Sequence, residues 1–358
     1  MDNLAHLYTD YLLASTGLTT STGLSAVLDS DIGHDKITRF LAGEQLDSKW
    51  LWSEAKPIVE ELSDSRATAV LAIDDSIAEK PYSSENELIC WHYDHSKDRT
   101  VKGINFVSSV LRTKQVSLPV AMELVRKDKI ITDKATGKQK RQSQLTKNDL
   151  FRQMVNACNQ NMHLDYVLAD SWYCSAENIK HLAREGLDWV MAVKSNRLAA
   201  RSPEDKKNGI YTNIRSLDLE PNSTAKVWLK GLDEPLVLTK QVFKNEDDTE
   251  GILYLLSSDL SLDADQITAL YQKRWCVEEY HKSLKNNSSL QASPTKVPRT
   301  QSNHCYLSVG AFLKLEKLKL RNHDQNHFAL KAKIYLHATK AAMDQVKKLS
   351  TFPKDRAA

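Results

Sequence analysis

Acidic residues close two short apolar runs in this chain of 358 residues. The run TAVLAIDDS carries Asp74 and Asp75, and the run DYVLAD ends in Asp170. Such β-branched, apolar runs predict buried strands, and a carboxylate at the end of one is costly to bury unless it is paired or binds a metal. Two such acids and a third one can hold two divalent cations about 4 Å apart, an arrangement that cleaves phosphodiesters. On its own, an aspartate at the end of a strand is more often a turn residue. A third acid is therefore needed to support the prediction of a metal site.

The third candidate acid lies in the segment LYQKRWCVEEYHKSLK. A continuous helix would place Tyr271, Arg274, Glu278 and Lys285 within an arc of ~60° on one face, and Lys282 would join them. A stripe of a phenol, a carboxylate and cations is not typical of a core face. It indicates either a solvated face with an Arg274–Glu278 ion pair or an acid directed at a metal beside cations directed at phosphates.

The elements that must position these acids follow a mixed α/β order. Apolar patterns predict strands at 67–75, 101–113 and 115–125, and then two helices alternating with the strands DYVLAD and DWVMAV. The last of these strands runs into a basic turn, Lys194 to Arg197. Three antiparallel strands followed by α/β units predict a mixed sheet flanked by helices, which is the order of the ribonuclease-H-like fold.

The chain around this order divides into five predicted regions. Residues 1–65 are predicted to be helical and to be a possible DNA-end-binding region. Residues 66–197 form the first part of the catalytic core, with a basic, solvated loop at 126–147, and 198–250 form a β-rich insertion. Residues 251–290 supply the last core strand and a helix running from Asp263 to about Asn287. Residues 291–358 are predicted to be helical and basic.

Composition limits the classes of protein to consider. The formal net charge is only +3, so charge neither requires nor excludes a nucleic-acid partner. Five cysteines without a CxxC pair favour reduced thiols in a cytosolic protein, and no P-loop motif predicts use of ATP. We find no signal peptide and no membrane span. The expected location is the bacterial cytoplasm, in association with the nucleoid.

The spacing of Tyr271, Arg274, Glu278 and Lys285 resembles the YREK signature of the insertion sequence 4 family of DDE transposases. The segments AIDDS and VLADSWY are similar to the first two acid motifs of that family. The resemblance covers residues of about 65–290. It favours Asp75 over Asp74 as the first metal ligand, with Asp74 as a real alternative, and it favours Glu278 over Glu279.

The resemblance implies an enzyme that cuts and joins DNA strands. Asp75, Asp170 and Glu278 would bind two Mg²⁺ ions, for which Mn²⁺ can substitute. The implied DNA-contacting residues are Tyr271, Arg274, Lys282, Lys285, Lys194 and Arg197. The implied partners are double-stranded DNA, at the transposon ends and the target, and a second copy of the chain in a homodimer. Members of the family can form a hairpin that needs a flipped base on an aromatic ring.

Two other functions fit the same residues. One is a ribonuclease-H-like DNA nuclease that does not transfer strands, and the other is a domesticated transposase that only binds DNA. Within the segment WHYDH, His92 and His95 are predicted to be surface residues of a hairpin connection, because no further ligands suggest a zinc site. Trp172 and Trp275 are candidates for stacking on a flipped base, but for each of them packing is the favoured prediction.

Overall fold

The computed structural model describes residues 3–62, 67–113, 116–132, 134, 137–245, 248–322 and 325–350. The chain forms two compact units, residues 46–281 and residues 1–45 together with 282–358. The predicted regions 1–65, 198–250 and 291–358 each include residues outside the described ranges, and the five predicted boundaries remain predictions.

The described part of the chain begins with four helices and six strands, after which strands and helices are interspersed. The strands are β1 (Val70–Glu79), β2 (Cys90–Asp94), β3 (Arg99–Thr113), β4 (Val116–Leu124), β5 (Lys129–Thr132), β6 (Gln139–Gln142), β7 (Tyr166–Ala169), β8 (Asp188–Val193), β9 (Leu198–Ala200), β10 (Thr212–Asn213), β11 (Thr224–Leu229), β12 (Leu236–Lys244) and β13 (Glu250–Ser257). The helices are α1 (Asn3–Ala14), α2 (Ser21–Val27), α3 (His34–Ala42), α4 (Ser48–Leu62), α5 (Lys147–Asn161), α6 (Ala176–Arg184), α7 (Pro203–Lys207), α8 (Ala264–Gln272), α9 (Trp275–Asn287), α10 (Pro298–Arg321) and α11 (His327–Ser350).

One mixed sheet organises the unit of residues 46–281. Its strands lie in the order β10-β9-β11-β12-β13-β8-β7-β1-β3-β2, and β4 also pairs with β3. Strands β1, β7 and β8 are parallel, whereas β3 pairs antiparallel with β1 and β4 pairs antiparallel with β3. The predicted mixed sheet flanked by helices is therefore confirmed, and its order is that of a ribonuclease-H-like fold.

The centre of the sheet is apolar because its strands are covered on their faces. Val70, Leu168, Val190 and Leu255 come from four neighbouring strands and form one buried cluster with Ile267 of α8. The first four residues of β1 are all buried, whereas Asp74 and the two residues after it are half-buried. The apolar part of β1 therefore anchors the strand in the core, and its acidic part reaches the rim.

The strands in residues 198–250 belong to the same sheet. Strand β12 pairs with β13 along eight residues, and β11 pairs with both β12 and β9. Strand β13 in turn pairs with β8 at the centre of the sheet. The β-rich segment thus extends the main sheet by continuous hydrogen bonding.

Two local predictions were wrong between residues 90 and 147. The segment around WHYDH is mostly a strand, β2, and His92 is buried because alternate residues of β2 face inward. Within 126–147, strands β5 and β6 pair as an exposed hairpin instead of forming a structureless loop. Both segments are short and polar, so the pairing partner decides their conformation more than their own pattern does.

The helix predicted from Asp263 to Asn287 is interrupted. Asp263 caps α8 in a capping box with Gln266, as its sequence pattern indicates. After Gln272 the chain makes a tighter turn, in which Arg274 N donates to Tyr271 O at 2.9 Å and Val277 N donates to Arg274 O at 3.0 Å. These bonds span three residues instead of four, so a single helical phase does not run through the segment.

The second unit is helical and joins distant parts of the chain. Its helix α10 is buried over most of its length. Tyr8 Oη lies 3.0 Å from His304 Nδ1, and Asn303 Nδ2 donates to the carbonyl oxygens of Leu41 and Glu44 at 3.0 Å. Buried polar groups of α10 therefore bond to α1, to α3 and to the segment that follows α3. Among the described residues, no helix combines the length and the apolar character that a membrane crossing requires.

Gly103 of β3 provides a test of the sheet, because β1 approaches it closely. A Cβ atom there would lie 2.4 Å from Ala78 O and 2.9 Å from Ile77 Cγ2. We predict that Gly103→Ala lowers the free energy of unfolding by about 1–3 kcal/mol, since the backbone of β1 must move. Urea unfolding measures the change. Gly17→Ala is the control, because nothing lies within 4 Å of its Cβ position. Equal unfolding midpoints for the two variants would contradict the close approach.

Candidate active site

Asp74 and Asp75 are neighbours on β1, so their side chains point to opposite sides of the strand. Asp75 accepts hydrogen bonds from three donors. Its Oδ2 lies 2.6 Å from Lys147 Nζ and 3.1 Å from Asn105 Nδ2, and its Oδ1 lies 3.2 Å from Tyr173 Oη. Lys147 is the first residue of α5, which begins after the Thr146 capping box. The start of α5 therefore places the Lys147 ammonium group beside Asp75.

Asp74 has a different set of partners. Its Oδ2 accepts from Arg274 Nη1 at 3.2 Å, and its Oδ1 accepts from the backbone N–H of Asp75 at 2.8 Å. Burial, and secondly the charge of Asp170, raise the pKa of Asp74 to about 7, against the opposing effect of Arg274. Near neutral pH this carboxyl therefore lies between its charged and uncharged forms.

Asp170 lies beside Asp74 because of strand register. Strands β1 and β7 are parallel, and Ile73 pairs with Ala169, so the next residue of each strand is an aspartate. The carboxylate of Asp170 accepts a hydrogen bond from Trp172 N at 2.9 Å. Burial raises the pKa of Asp170, and the charge of Asp75 raises it further. Three carboxyl groups thus repel one another at the carboxyl end of β1 and β7.

Arg274 links this group to Glu278. Its Nη2 donates to Glu278 Oε1 at 2.6 Å while its Nη1 contacts Asp74. Arg274 is buried, whereas the Glu278 side chain is 55% exposed. One guanidinium therefore bridges an acid of β1 and an acid of α9, which are 204 residues apart in sequence. The pairing of Arg274 with Glu278 follows from their i,i+4 spacing, whereas the pairing of Arg274 with Asp74 could not be predicted from sequence spacing.

Tyr271 is a core residue, which corrects the expectation that its helix face avoids the core. It packs in the central apolar cluster, and its ring centroid lies 5.3 Å from Arg274 Cζ. Burial raises the pKa of Tyr271 to about 12. Tyr271 thus supports the position of the guanidinium.

The remaining predicted cations lie on two other elements. Lys194 and Arg197 occupy the turn after β8, where Arg197 N donates to Lys194 O at 3.0 Å. Lys282 and Lys285 lie on α9 beyond Glu278, in the part of the helix that belongs to the helical unit. Lys282 is exposed, with Nζ 5.7 Å from the Phe328 ring centroid, and Lys285 is half-buried.

The donor set fits a divalent metal ion by its chemistry. Carboxylate oxygens are the ligands that Mg²⁺ and Mn²⁺ prefer, and here they crowd together with raised pKa values at Asp74 and Asp170. In the described part of the chain, no three His, Cys, Asp or Glu side chains are already arranged as a metal site. Lys147 and Arg274 instead take up carboxylate oxygens that a metal would use.

Sequence reasoning missed four residues of this site. Lys147, Asn105 and Tyr173 contact Asp75 directly. His92 is buried close by, and burial together with the charges of Lys127 and Lys147 lowers its pKa to about 3. The clearest signal lay at Lys147, which follows a helix cap at the end of a basic segment. The sequence carries no such signal at Asn105 or His92, because only strand pairing brings these residues close to β1.

The prediction that Trp172 and Trp275 are packing residues was wrong. Trp172 is 48% exposed, and Trp275 is 63% exposed. All five cysteines are buried, and within the described residues no disulfide joins them.

Two family models match this chain. A model described as DDE superfamily endonuclease matches residues 2–215, and a model described as Transposase DDE domain matches residues 126–313. The first range includes Asp74, Asp75 and Asp170, and the second includes Asp170 and Glu278. No curated protein matches the chain.

A solved structure of Kluyveromyces polysporus Argonaute with a guide RNA matches at 11% sequence identity and a TM-score of 0.21. The match covers 90% of this chain and 38% of that one, so this chain spans little more than a third of it. A TM-score this low supports no conclusion about fold or function.

Each family model covers more than half of the chain, and their ranges overlap around Asp170. The chain therefore belongs to the DDE superfamily of endonucleases and transposases.

Proposed function

We propose that this protein is a cut-and-paste DNA transposase of the insertion sequence 4 family, which mobilises an insertion sequence by metal-dependent strand cleavage and strand transfer. The observation that carries the proposal is the Arg274 bridge between Asp74 and Glu278, beside Asp170. The bridge brings the third acid motif to the first two. It also sets a guanidinium, which binds phosphate well, among carboxylates that suit metal ions.

The proposed metal ligands are Asp75, Asp170 and Glu278. Asp75 is half-buried and held in one orientation by three donors, which suits a ligand that must be positioned accurately. Asp74 would then hold Arg274 in place. Two Mg²⁺ ions, or Mn²⁺ in their stead, would supply activation of the attacking oxygen and stabilisation of the leaving oxygen.

The chain's own cations have a separate role in this proposal. Arg274 gains a phosphate oxygen as a partner when DNA binds, and Tyr271 supports its guanidinium from the core side. Lys194 and Arg197 contact the DNA backbone from the turn after β8. Lys282 and Lys285 contact it from α9. These contacts place the scissile phosphate for in-line attack, which is where positioning contributes most to the rate.

The chemistry consists of successive phosphoryl transfers. A water oxygen attacks the phosphorus at the transposon end, the P–O3′ bond breaks, and a 3′-hydroxyl is released. That hydroxyl then attacks a phosphodiester of the target DNA, forming a new bond and releasing the target's own 3′-hydroxyl. Two ends and one target require coordinated sites, so the working form is a homodimer on double-stranded DNA, at the bacterial nucleoid.

Removing a proposed ligand should abolish catalysis without unfolding the protein. We predict that Asp170→Asn and Glu278→Gln lower metal-dependent cleavage of a transposon-end duplex by roughly 10²–10³-fold or more, because each removes transition-state stabilisation worth several kcal/mol. Glu279→Gln is the matched control, since Glu279 is the exposed neighbour of Glu278. Cleavage is measured on labelled DNA, and binding by anisotropy without metal.

A joining assay with a target plasmid separates transposase from nuclease. A transposase transfers the cut 3′ end to the plasmid, whereas a nuclease of the same fold only releases fragments. Cleavage at equal rates in Glu278→Gln and Glu279→Gln would refute the proposed role of Glu278. If the unmodified chain binds DNA but does not cleave it, the result would instead support the alternative of a protein that only binds DNA.

The first metal ligand can be identified by comparing Asp74→Asn with Asp75→Asn. We predict that Asp75→Asn abolishes both cleavage and the rise in melting temperature on adding Mn²⁺, because a ligand is lost. Asp74→Asn should keep the Mn²⁺-dependent rise and lower cleavage only about tenfold, as Arg274 loses one partner. The reverse pattern would assign the ligand to Asp74.

The basic turn should contribute to DNA binding mainly through charge. We predict that the double variant Lys194→Ala, Arg197→Ala makes the slope of log K against log salt less negative by about 1.8, because two phosphate contacts are lost. Lys180→Ala, which removes an exposed lysine of α6, is the control. Binding titrations on duplex DNA at several salt concentrations provide the slopes. An unchanged slope in the double variant would exclude the turn from the DNA contact.

A further inference from the structure

The ion pair between Lys147 and Asp75 involves a carboxylate that we propose as a metal ligand. Lys147 Nζ lies 2.6 Å from Asp75 Oδ2, and the lysine side chain is 28% exposed. Carboxylate oxygens bind either an ammonium group or a divalent ion, and both bring positive charge to the same atom. The Lys147 ammonium group and a divalent ion therefore compete for Asp75 Oδ2.

The backbone of Lys147 is fixed, but its side chain is able to move. Lys147 is the first residue of α5, and the capping box before it holds the start of the helix: Thr146 Oγ1 accepts from Asp149 N at 3.1 Å, and Asp149 Oδ2 accepts from Thr146 N at 2.8 Å. The ammonium group sits on a flexible four-carbon stem that reaches solvent. It can therefore leave Asp75 without a change in α5.

Asp75 has two other donors that hold its carboxylate when Lys147 moves away. Asn105 Nδ2 donates to Oδ2 at 3.1 Å, and Tyr173 Oη donates to Oδ1 at 3.2 Å. Both donors are buried, so neither side chain has room to turn into solvent. The carboxylate therefore keeps its orientation whether or not the ammonium group is bound to it.

Lys147 is held less firmly than Arg274, the other cation of the site. Arg274 is buried and binds Asp74 and Glu278 at once. Lys147 instead has a cation as a neighbour: burial lowers the pKa of Lys127, and the charge of Lys147 lowers it too. The two ammonium groups therefore repel each other. Of the two cations at the acids, Lys147 is the one that exchanges more readily.

We propose that Lys147 is a positioning residue that binds Asp75 before metal binding and leaves its Oδ2 when a divalent cation binds, and that it thereby sets the metal affinity of the site. The inference rests on the proposed function, because it takes Asp75 as a metal ligand. One positive group replaces another, so Asp75 has a cationic partner in both states. Removal of the lysine should strengthen metal binding, whereas removal of a ligand weakens it.

Titration of the full chain with Mn²⁺ alone, without DNA, tests this proposal. Electron paramagnetic resonance of the unbound Mn²⁺ measures the dissociation constant. Lys147→Met keeps the length of the side chain and removes its charge, so it should lower that constant about tenfold, because an adjacent cation weakens proton binding to a carboxylate by about that factor or more and acts on metal ions in the same sense. Lys147→Gln, a second neutral variant, should lower it too, and Lys147→Arg should not.

Lys127→Met is the matched control, because Lys127 Nζ donates to the backbone oxygen of Trp91 at 2.6 Å. At physiological salt it should change the constant by less than about threefold, since its charge acts only from a distance. Unchanged or weaker Mn²⁺ binding in both neutral Lys147 variants, or an equal gain in Lys127→Met, would overturn the proposal. With Mn²⁺ still bound by the unmodified chain, either result leaves the proposed function standing. If neither the unmodified chain nor the Lys147 variants bind Mn²⁺, both proposals are refuted.

Discussion

Repulsion among carboxylates is the physical constraint on which the site depends. Parallel pairing of β1 with β7 sets Asp170 beside Asp74, and Asp75 follows in the same strand. Burial removes much of the water that would screen their charges, so the pKa of Asp74 rises to about 7 and that of Asp170 rises too. Such a group of acids persists in a fold only with cations nearby, or with some of its carboxyls protonated.

The chain supplies two of these cations from different elements. Lys147 arrives with the start of α5 and binds Asp75, while Arg274 arrives with the turn between α8 and α9 and binds Asp74 and Glu278. Each cation satisfies part of the negative charge, and each takes oxygens that a metal would otherwise take. The same ion pairs therefore compensate part of the negative charge in the metal-free protein and keep the proposed ligands near one another.

Tyr271 at the end of α8 and Arg274 in the turn before α9 contact each other, with Arg274 Cζ 5.3 Å from the Tyr271 ring centroid. Side chains three residues apart lie close together in such a tight turn. Tyr271 belongs to the apolar cluster, whereas the longer Arg274 side chain reaches Asp74 of β1. One short segment thus serves the core and the site at once.

Several features followed from sequence because they depend on neighbours in the chain. Alternation and apolar runs predicted β1, β3, β4, β7 and β8, and side-chain caps predicted the starts of α5, α6 and α8. The acids of the candidate site were found for the same reason, since each ends or follows a recognisable element. The basic turn at Lys194 was also predicted from its neighbours in the chain, because it directly follows a recognisable strand.

Other features depend on partners that are distant in the chain. The register of β1 against β7 decides that Asp74 and Asp170 meet, and strand pairing brings Asn105 to Asp75. Pairing with β3 makes β2 a strand, buries His92 and exposes Trp91 and Tyr93. Local spacing contains no information about these pairings, because they balance burial and hydrogen bonding over the whole sheet. Local patterns along the chain therefore indicate which residues can carry chemistry and on which elements they lie. Which of these residues meet depends on packing, because contacts between distant residues form only in the folded chain.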